Sequence, residues 1–421
     1  MRRFLFLLGL RWFPVGLMIP VLVLLPMERG LSIAQIGTAA AVQGIVVLLL
    51  ELPTGGLSDA IGRRPVLLLA SAINVVALGV LAIADTLPLL MLVFLLQGVF
   101  RALDSGPLEA WYVDRALAAD PDADIETGLS RSGVVLGLAI GGGALLGGGL
   151  VAWTSLLVPV LVGVGFAAID VVAIALLLTE DRPARGMAAL VASARGVPAA
   201  IGGALRLARR NRVLAALIAV ELFWGFGMPT FETLMPVRLA GVLGDPGDAA
   251  ALMGPAGAAA WAASAVGAAL VPLLIRRIGT RWTGFTLRIA QGLTIGGMAL
   301  LAGPAGIIAA YLLCYTMHGA ANPVHSALLH RQVDGPHRAS VLSLNSMMSQ
   351  PGFALGIVVL TAIAAGAGTP LAMAVGAVVL AAAAPLYLVH RGVSAGGTGG
   401  YDAERSALTP GGQTCSPLPQ P

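Results

Sequence analysis

Lysine is absent from this chain of 421 residues, and charged side chains make up only 11% of it. Because a soluble globular protein carries about 25% charged residues, this composition excludes a water-facing surface of ordinary polarity. Hydrophobic residues account for 57% of the chain, and the mean hydropathy is +0.90. Most of the chain is therefore expected to lie in lipid.

Further shortages narrow the possible functions. The two cysteines, Cys314 and Cys415, are too few for a disulfide scaffold and show no metal-ligand spacing. The formal net charge of +4 is too small to indicate a nucleic-acid partner. The sequence also contains no nucleophile elbow, no phosphate-binding loop and no cluster of metal ligands. We therefore expect no enzymatic activity, no cofactor, no metal and no nucleic acid.

Twelve apolar runs recur along the chain, most of them near or above the roughly 20 residues that span a bilayer. Lipid permits only helices or closed barrels, and no run alternates as a barrel strand does. The sequence therefore predicts an all-α integral membrane protein with twelve transmembrane helices. The first run resembles a signal peptide, but it continues to Pro26 without a cleavage site, so we expect it to be retained. The predicted helices are 4–27, 33–54, 66–84, 88–112, 131–153, 157–178, 213–236, 250–275, 283–302, 305–328, 339–364 and 370–390.

The arginines are sorted to alternate loops. Most loop arginines, including Arg63 and Arg64, fall on one side of the predicted membrane, whereas the opposite loops hold only Arg29 and Arg238. Positive residues accumulate on the cytoplasmic side of membrane proteins. We therefore predict a multi-pass protein of the cell membrane with both termini in the cytoplasm.

The longest internal loop, 179–212, divides the chain into two predicted six-helix halves, 1–178 and 213–391. This loop is either an amphipathic helix on the inner leaflet or a solvated linker. The tail 392–421 is rich in Gly, Ser, Thr and Pro, which predicts disorder. The halves look like repeats, since IGRRP at 61–65 corresponds to IGTRW at 278–282.

A compact motif lies between the second and third runs, with the pattern Gly-x-Leu-x-Asp-x-x-Gly-Arg-Arg from Gly55 to Arg64. One interpretation is an ordinary cytoplasmic hairpin. The pattern also resembles the loop between the second and third helices of major facilitator superfamily transporters. That resemblance, over about residues 1–391, implies two six-helix bundles around a central cavity.

The resemblance further implies an inside gate that stabilises the outward-facing state. Asp59 is then expected to approach the start of the eleventh helix, and Arg63 to pair with Asp114 at the inner end of the fourth. Independently of the resemblance, Arg63 and Asp114 are expected at the same membrane face. The predicted gate residues are Gly55, Leu57, Asp59, Gly62, Arg63, Arg64 and Asp114.

Ionisable residues within the runs are candidates for proton coupling, because each costs ~2.5–3.5 kcal/mol to insert. Arg101 and Asp104 are spaced to pair on one helix face, and Pro107 predicts a kink beside them. The pair either controls the protonation of a nearby carboxylate or neutralises itself. The segment resembles the Arg-x-x-Gln-Gly signature of the superfamily's fourth helix but departs from it at Asp104 and Ser105. Glu109 lies in the same run.

Two further acids stand in apolar surroundings. Glu51, near the inner end of the second run, is either a proton site or a partner for the loop arginines. Asp170 lies in the middle of the sixth run with no cation beside it in sequence. It is a protonation candidate, or else it forms a hydrogen bond to a neighbouring helix.

The seventh run combines acids with aromatic residues and predicts part of a substrate cavity. Glu221 and Glu232 are three helical turns apart and would share a face, with Trp224 and Phe226 between them. An aromatic wall with acids suits an apolar or cationic organic molecule, although a lipid-facing aromatic belt explains the aromatic residues equally. Met228 and Pro229 predict a break in this helix.

Polar residues of the tenth and eleventh runs complete the candidate cavity. His318 and His325 are either proton relays, since histidine changes charge near neutral pH, or packing residues. The amides either bridge helices or bind substrate. The candidate residues in these runs are His318, Asn322, His325, Asn345 and Gln350.

The fifth run contains Gly137, Gly141, Gly143 and Gly147, a spacing that permits close helix packing. The region resembles the glycine-rich fifth helix of antiporters in the superfamily, although the usual proline is missing. From the combined pattern we expect a monomeric, proton-coupled transporter that exports a hydrophobic or amphipathic small molecule by antiport. A proton-coupled nutrient importer and a membrane receptor that moves no ligand are the alternatives.

Overall fold

A computed structural model describes residues 1–180, 209–332 and 338–389, together with 186, 202 and 206. The side chains of 52, 53, 55, 56, 59 and 338–340 are outside this description. Most of the predicted linker and the whole predicted tail also lie outside the described residues.

Helices make up all the regular structure of the described residues. They are α1 Arg2–Met18, α2 Leu24–Glu28, α3 Ile33–Ile61, α4 Arg63–Ile83, α5 Leu87–Asp104, α6 Pro107–Ala119, α7 Ile125–Trp153, α8 Leu157–Leu177, α9 Arg212–Gly227, α10 Pro229–Glu232, α11 Leu234–Leu243, α12 Pro246–Ile278, α13 Thr280–Leu300, α14 Pro304–His330, α15 Arg338–Ala367 and α16 Thr369–Ala381, followed by a 3₁₀ turn at Ala384–Leu388.

Nine helical segments within the described residues are long and apolar enough to cross a membrane. The predicted all-helical, multi-pass membrane character is therefore confirmed. Each predicted run falls on one or more helices, and the count of twelve crossings stays a prediction.

Two of the predicted breaks interrupt helices next to a proline. Between α5 and α6 the chain turns at Gly106, whose φ of +95° favours glycine, and α6 begins with Pro107. Similarly, α9 ends at Gly227 and α10 begins with Pro229. Proline removes a backbone donor and clashes with the preceding turn, which favours a break at both positions, whereas Pro323 and Pro351 lie inside continuous helices.

The glycine motif differs from its prediction in one respect. Gly55, Leu57 and Asp59 belong to α3 rather than to a turn, because the helix continues to Ile61. Only Gly62, with φ +98°, leaves helical geometry and begins the reversal into α4. Gly279, with φ +77°, has the same position between α12 and α13, so the two sequence repeats also share a backbone conformation.

Helix packing follows the same duplication. In the first half α1 packs on α7 and α3 on α5, and in the second half α9 packs on α15 and α12 on α14. Two extensive contacts join the predicted halves, α3 with α15 and α7 with α12. Small residues permit the second contact, since a Cβ on Gly148 would lie 2.6 Å from the Cα of Gly254.

Three of the four glycines predicted to allow close packing on α7 approach another helix. Gly143 and Gly147 face the backbone of α1, and a Cβ on Gly147 would lie 2.8 Å from the carbonyl oxygen of Leu17. Gly141 approaches Ala258 of α12, whereas Gly137 has open space around its Cα. The prediction for Gly137 is therefore wrong, because a Cβ at this position would meet no atom within 4 Å.

Arg29 and Arg238, the two arginines predicted to lie in loops on the opposite side of the membrane from the others, bind helix ends. The Arg29 guanidinium donates to the carbonyl oxygens of Leu81, Ala82 and Ala84 at 2.6–2.9 Å, at the C-terminus of α4. Arg238 donates to Leu301 at 2.9 Å and to Met298 at 3.4 Å, at the C-terminus of α13. A cation is favourable where unpaired carbonyls end a helix, so each arginine has a local structural role.

Candidate functional site

A buried ion cluster centres on Arg11 of α1, which was not among the predicted site residues. Its side chain is 1% exposed. Nη2 lies 2.6 Å from Oδ1 of Asp104 on α5, and Nη1 lies 3.0 Å from Oδ2 of Asp170 on α8. The Ser71 hydroxyl of α4 accepts a hydrogen bond from Nη1 at 2.8 Å and lies 2.7 Å from Asp170. Four helices of the first half therefore meet at one guanidinium.

This cluster corrects the predicted pair of Arg101 and Asp104. Asp104 turns toward α1 and binds Arg11, whereas the Arg101 side chain is exposed. Spacing along one helix permits a pair but does not decide which neighbour lies opposite. Asp170, which has no cation near it in sequence, obtains one from α1. The sequence did contain a signal that could have identified Arg11 as a candidate, because an arginine inside an apolar run is usually functional.

The predicted pair of Arg63 and Asp114 forms, with Nη1 2.5 Å from Oδ2. Glu180, after the end of α8, was not predicted, and its carboxylate accepts hydrogen bonds from the backbone N–H groups of Arg63 at 2.7 Å and Arg64 at 3.1 Å. These are the unpaired donors at the N-terminus of α4, where an anion is favourable. The Asp59 side chain and its expected partner at the start of α15 lie outside the described residues.

A cavity of about 180 Å³ lies between α3, α5 and α15. Its polar lining includes Glu51, Arg101, Ser105, Ser346 and Gln350. The Ser346 hydroxyl donates to Oε1 of Glu51 at 3.5 Å. The predicted cavity residue Gln350 is thus close to two residues predicted for coupling. Glu109 is exposed on α6 and does not line this cavity.

The second half contains a comparable polar cluster around His325 of α14. Its Nε2 lies 3.2 Å from Oε1 of Glu221 on α9 and 3.1 Å from Oδ1 of Asn345 on α15. Its Nδ1 lies 3.2 Å from the Tyr387 hydroxyl. The structure therefore brings together Glu221, His325 and Asn345, three of the predicted cavity residues.

Arg288 of α13, buried near this cluster, was not predicted and donates to Oε1 of Gln291 at 2.9 Å. Ser71 and Arg288 occupy corresponding positions in the two sequence repeats. Ser71 lies nine residues beyond Gly62, and Arg288 lies nine residues beyond Gly279. The internal duplication therefore places a buried polar group at the same point of each half.

An aromatic cluster surrounds His318 of α14. Trp224 stacks on its ring with the centroids 5.7 Å apart, and Phe231 and Tyr315 lie 5.7 and 5.9 Å away. His318 therefore belongs to a packed aromatic group in which Nδ1 has no hydrogen-bond partner among the described residues. Tyr315, which closes this group, was not predicted.

The remaining predicted cavity residues are dispersed. Phe226 is partly buried and packs against the hydrophobic core, and Asn322 is exposed. Glu232 is also exposed and belongs to α10, beyond the break at Met228. The prediction of one continuous helix face with Glu221 is wrong, because the two acids lie on separate helices.

Comparison with known proteins now decides the family. The sequence model described as Major Facilitator Superfamily matches residues 4–321. The chain belongs to the major facilitator superfamily. This membership indicates a transporter with a small-molecule substrate rather than an enzyme. No curated protein matches the chain.

Solved structures show the major facilitator fold over nearly the whole chain. The nucleoside transporter NupG superposes with a TM-score of 0.76 at 16% identity, covering 92% of this chain and 99% of its own. A POT family transporter in complex with 5-aminolevulinic acid gives 0.67 at 12%, covering 92% and 94%. The human organic anion transporter MFSD10 (TETRAN) gives 0.59 at 18%, covering 92% and 99%. At these identities the likeness shows the fold alone.

Proposed function

We propose that this protein is a secondary active transporter that couples proton movement to the efflux of a hydrophobic or amphipathic small molecule. Membership of the superfamily supports transport by alternating access. The buried cluster of Arg11, Asp104 and Asp170 is the observation that carries the coupling, because its charges do not balance.

Two carboxylates share one guanidinium in that cluster. When both acids are ionised, the group carries one excess negative charge, and a buried charge without compensation is costly. One added proton neutralises the group. Oδ1 of Asp170 is buried and has no hydrogen-bond partner among the described residues, so this oxygen is the natural proton acceptor. The Asp104 side chain, 17% exposed against 6% for Asp170, gives the cluster its contact with the exterior.

The proposed architecture is the predicted one. Twelve spans form two six-helix bundles, 1–178 and 213–391, in the cell membrane with both termini cytoplasmic. Loop 179–212 connects the two bundles on the cytoplasmic side. The contacts of α3 with α15 and of α7 with α12 support rocking of the bundles about these two seams. The protein acts as a monomer.

The proposed gate lies at the turn into α4. Arg63 and Asp114 hold the start of α4 to α6, and Glu180 holds it to the end of α8. Gly55, Leu57, Asp59 and Arg64 complete the inside gate. Because the gate stabilises the outward-facing state, its contacts break when the inner side opens.

The coupling proposal is tested once a substrate is known. A susceptibility and metabolite-export screen of a deletion strain against an overexpressor supplies the substrate. Asp104→Asn and Asp170→Asn in proteoliposomes should then lose proton-driven transport but retain exchange without a pH gradient. Asp122→Asn, at an exposed loop position, is the matched control. Full coupling in both variants would remove these acids from the mechanism.

Import is the second candidate, because the same fold serves either direction. Inside-out vesicles with an imposed pH gradient separate the two candidates, since an exporter accumulates substrate in their lumen at the expense of the gradient. A receptor would bind the same compound and move none of it.

A further inference from the structure

The cavity between α3, α5 and α15 is lined by one carboxylate and one guanidinium that are not in direct contact. Glu51 projects from α3 and Arg101 from α5. Although both side chains are described, no ion pair within 4 Å joins them. The Oε2 atom of Glu51 is buried and has no hydrogen-bond partner among the described residues. Both residues nevertheless line the same cavity.

The size and lining of that space define what can fill it. An apolar cavity of ~150 Å³ holds a benzene molecule, so about 180 Å³ accommodates a polar group of several heavy atoms. Ser105, Ser346 and Gln350 add hydroxyl and amide groups to the wall. The apolar lining consists of Val47 and Ala102.

Opposite charges on the two walls select the charge of the ligand. A purely cationic ligand would satisfy Glu51 and leave Arg101 without a partner, and a purely anionic ligand would do the reverse. Each singly charged ligand would therefore displace water from a charged side chain without replacing its hydrogen bonds, which is costly. A ligand that carries both charges avoids this penalty at either wall.

We propose that this cavity binds the zwitterionic end of an amphipathic substrate, with an ammonium group at Glu51 and a carboxylate at Arg101. The proposal rests on the proposed transport function and narrows its substrate class. Because Ser346 and Gln350 belong to α15 and the two charges to the first half, the bound ligand contacts both halves. Such a ligand is sensitive to their relative movement.

Matched trios of small molecules test the charge requirement. Phenylalanine, phenethylamine and 3-phenylpropionate share a ring and differ in charge, as do tryptophan, tryptamine and indole-3-propionate. Binding to the purified full-length protein is measured by isothermal titration and by the shift in melting temperature. The zwitterion of each trio should bind at least tenfold more tightly than its singly charged relatives.

Two variants assign each charge to its residue. Glu51→Gln should weaken zwitterion binding roughly 10- to 100-fold and remove the advantage over 3-phenylpropionate, as expected for the loss of one charged contact. Arg101→Gln should likewise remove the advantage over phenethylamine. The controls are Glu28→Gln and Arg131→Gln, both at exposed positions outside the cavity. Melting temperatures confirm that each variant is folded.

Equal binding within a trio, no binding by any member of either trio, or unchanged selectivity in both variants would overturn the zwitterion assignment. Proton-driven transport of the compound from the export screen is measured in parallel. If that transport persists while the trios fail, the substrate class is wrong and the transporter proposal stands. If the export-screen compound is not transported and the trios also fail, the transporter proposal and the zwitterion assignment are both wrong.

Discussion

Arg11 and Asp104 meet in the interior of the first half, with Nη2 of one 2.6 Å from Oδ1 of the other. The two residues come from α1 and α5, and Asp170 of α8 shares the same guanidinium. A single side chain thus fixes the relative positions of three helices. The same side chain sets the charge of the proposed coupling group, so its structural and functional roles are separable only by experiment.

Replacing Arg11 by Gln should lower the stability of the protein by about 3–5 kcal/mol, because a buried acid loses its counter-charge. The measurement is thermal unfolding of the detergent-purified protein. Adding Asp170→Asn should recover part of the loss, since the second substitution removes one orphaned charge. Arg131→Gln, at an exposed position, should leave unfolding unchanged. A double variant no more stable than Arg11→Gln would contradict the shared-charge interpretation.

The membrane fold could be predicted from the sequence because composition and helix breakers act locally. Lipid permits only helices or closed barrels, and no run alternates as a barrel strand does. Pro107 and Pro229 each begin a new helix. The pair of Arg63 and Asp114 was predicted from the resemblance to the superfamily. The sequence by itself predicted only that both residues lie at the same membrane face.

The ion cluster was not predictable, because its members are far apart in the chain and lie on helices with apolar residues on every face. Arg11 and Asp170 are separated by 159 residues. Periodicity orients a helix only when one face is polar, so the sequence does not show which side of α5 faces α1. The sequence repeats could have pointed to Ser71 and Arg288 as a matched pair of buried polar residues, since they occupy corresponding positions after Gly62 and Gly279.

Breaking the pair of Arg63 and Asp114 should affect transport far more than stability. Both side chains are partly exposed, at 17% and 28%, and such pairs contribute about 0–1 kcal/mol. Arg63→Asp should therefore unfold within a few degrees of the wild type and lose most transport of the screened substrate. The swapped double variant, with Asp114→Arg added, should regain transport. A swap that remains inactive would argue against pairing as the function of these residues.

Arg29 and Arg238 donate hydrogen bonds to the C-termini of α4 and α13, and these two interactions should contribute different amounts to stability. Arg29 donates to three carbonyl oxygens at 2.9 Å or less, whereas Arg238 makes one bond of 2.9 Å and one of 3.4 Å. Arg29→Ala should cost about 1–3 kcal/mol, as for hydrogen bonds to a charged group. Arg238→Ala should cost less. Chemical unfolding of both variants checks the order, and an equal loss would contradict it.

The contact between α7 and α12 gives the most stringent packing test, because adjacent glycines on α7 have opposite surroundings. A Cβ on Gly148 would lie 2.6 Å from the Cα of Gly254, whereas one on Gly149 would meet no atom within 4 Å. Gly148→Ala should therefore separate the two helices and lower stability by about 1–3 kcal/mol, as overpacking does. Gly149→Ala should be neutral or stabilising by up to ~1 kcal/mol, since alanine favours helix more than glycine does. Thermal unfolding compares the two variants directly. Equal effects would mean that the halves do not meet at Gly148, and rocking about this seam would have to be abandoned.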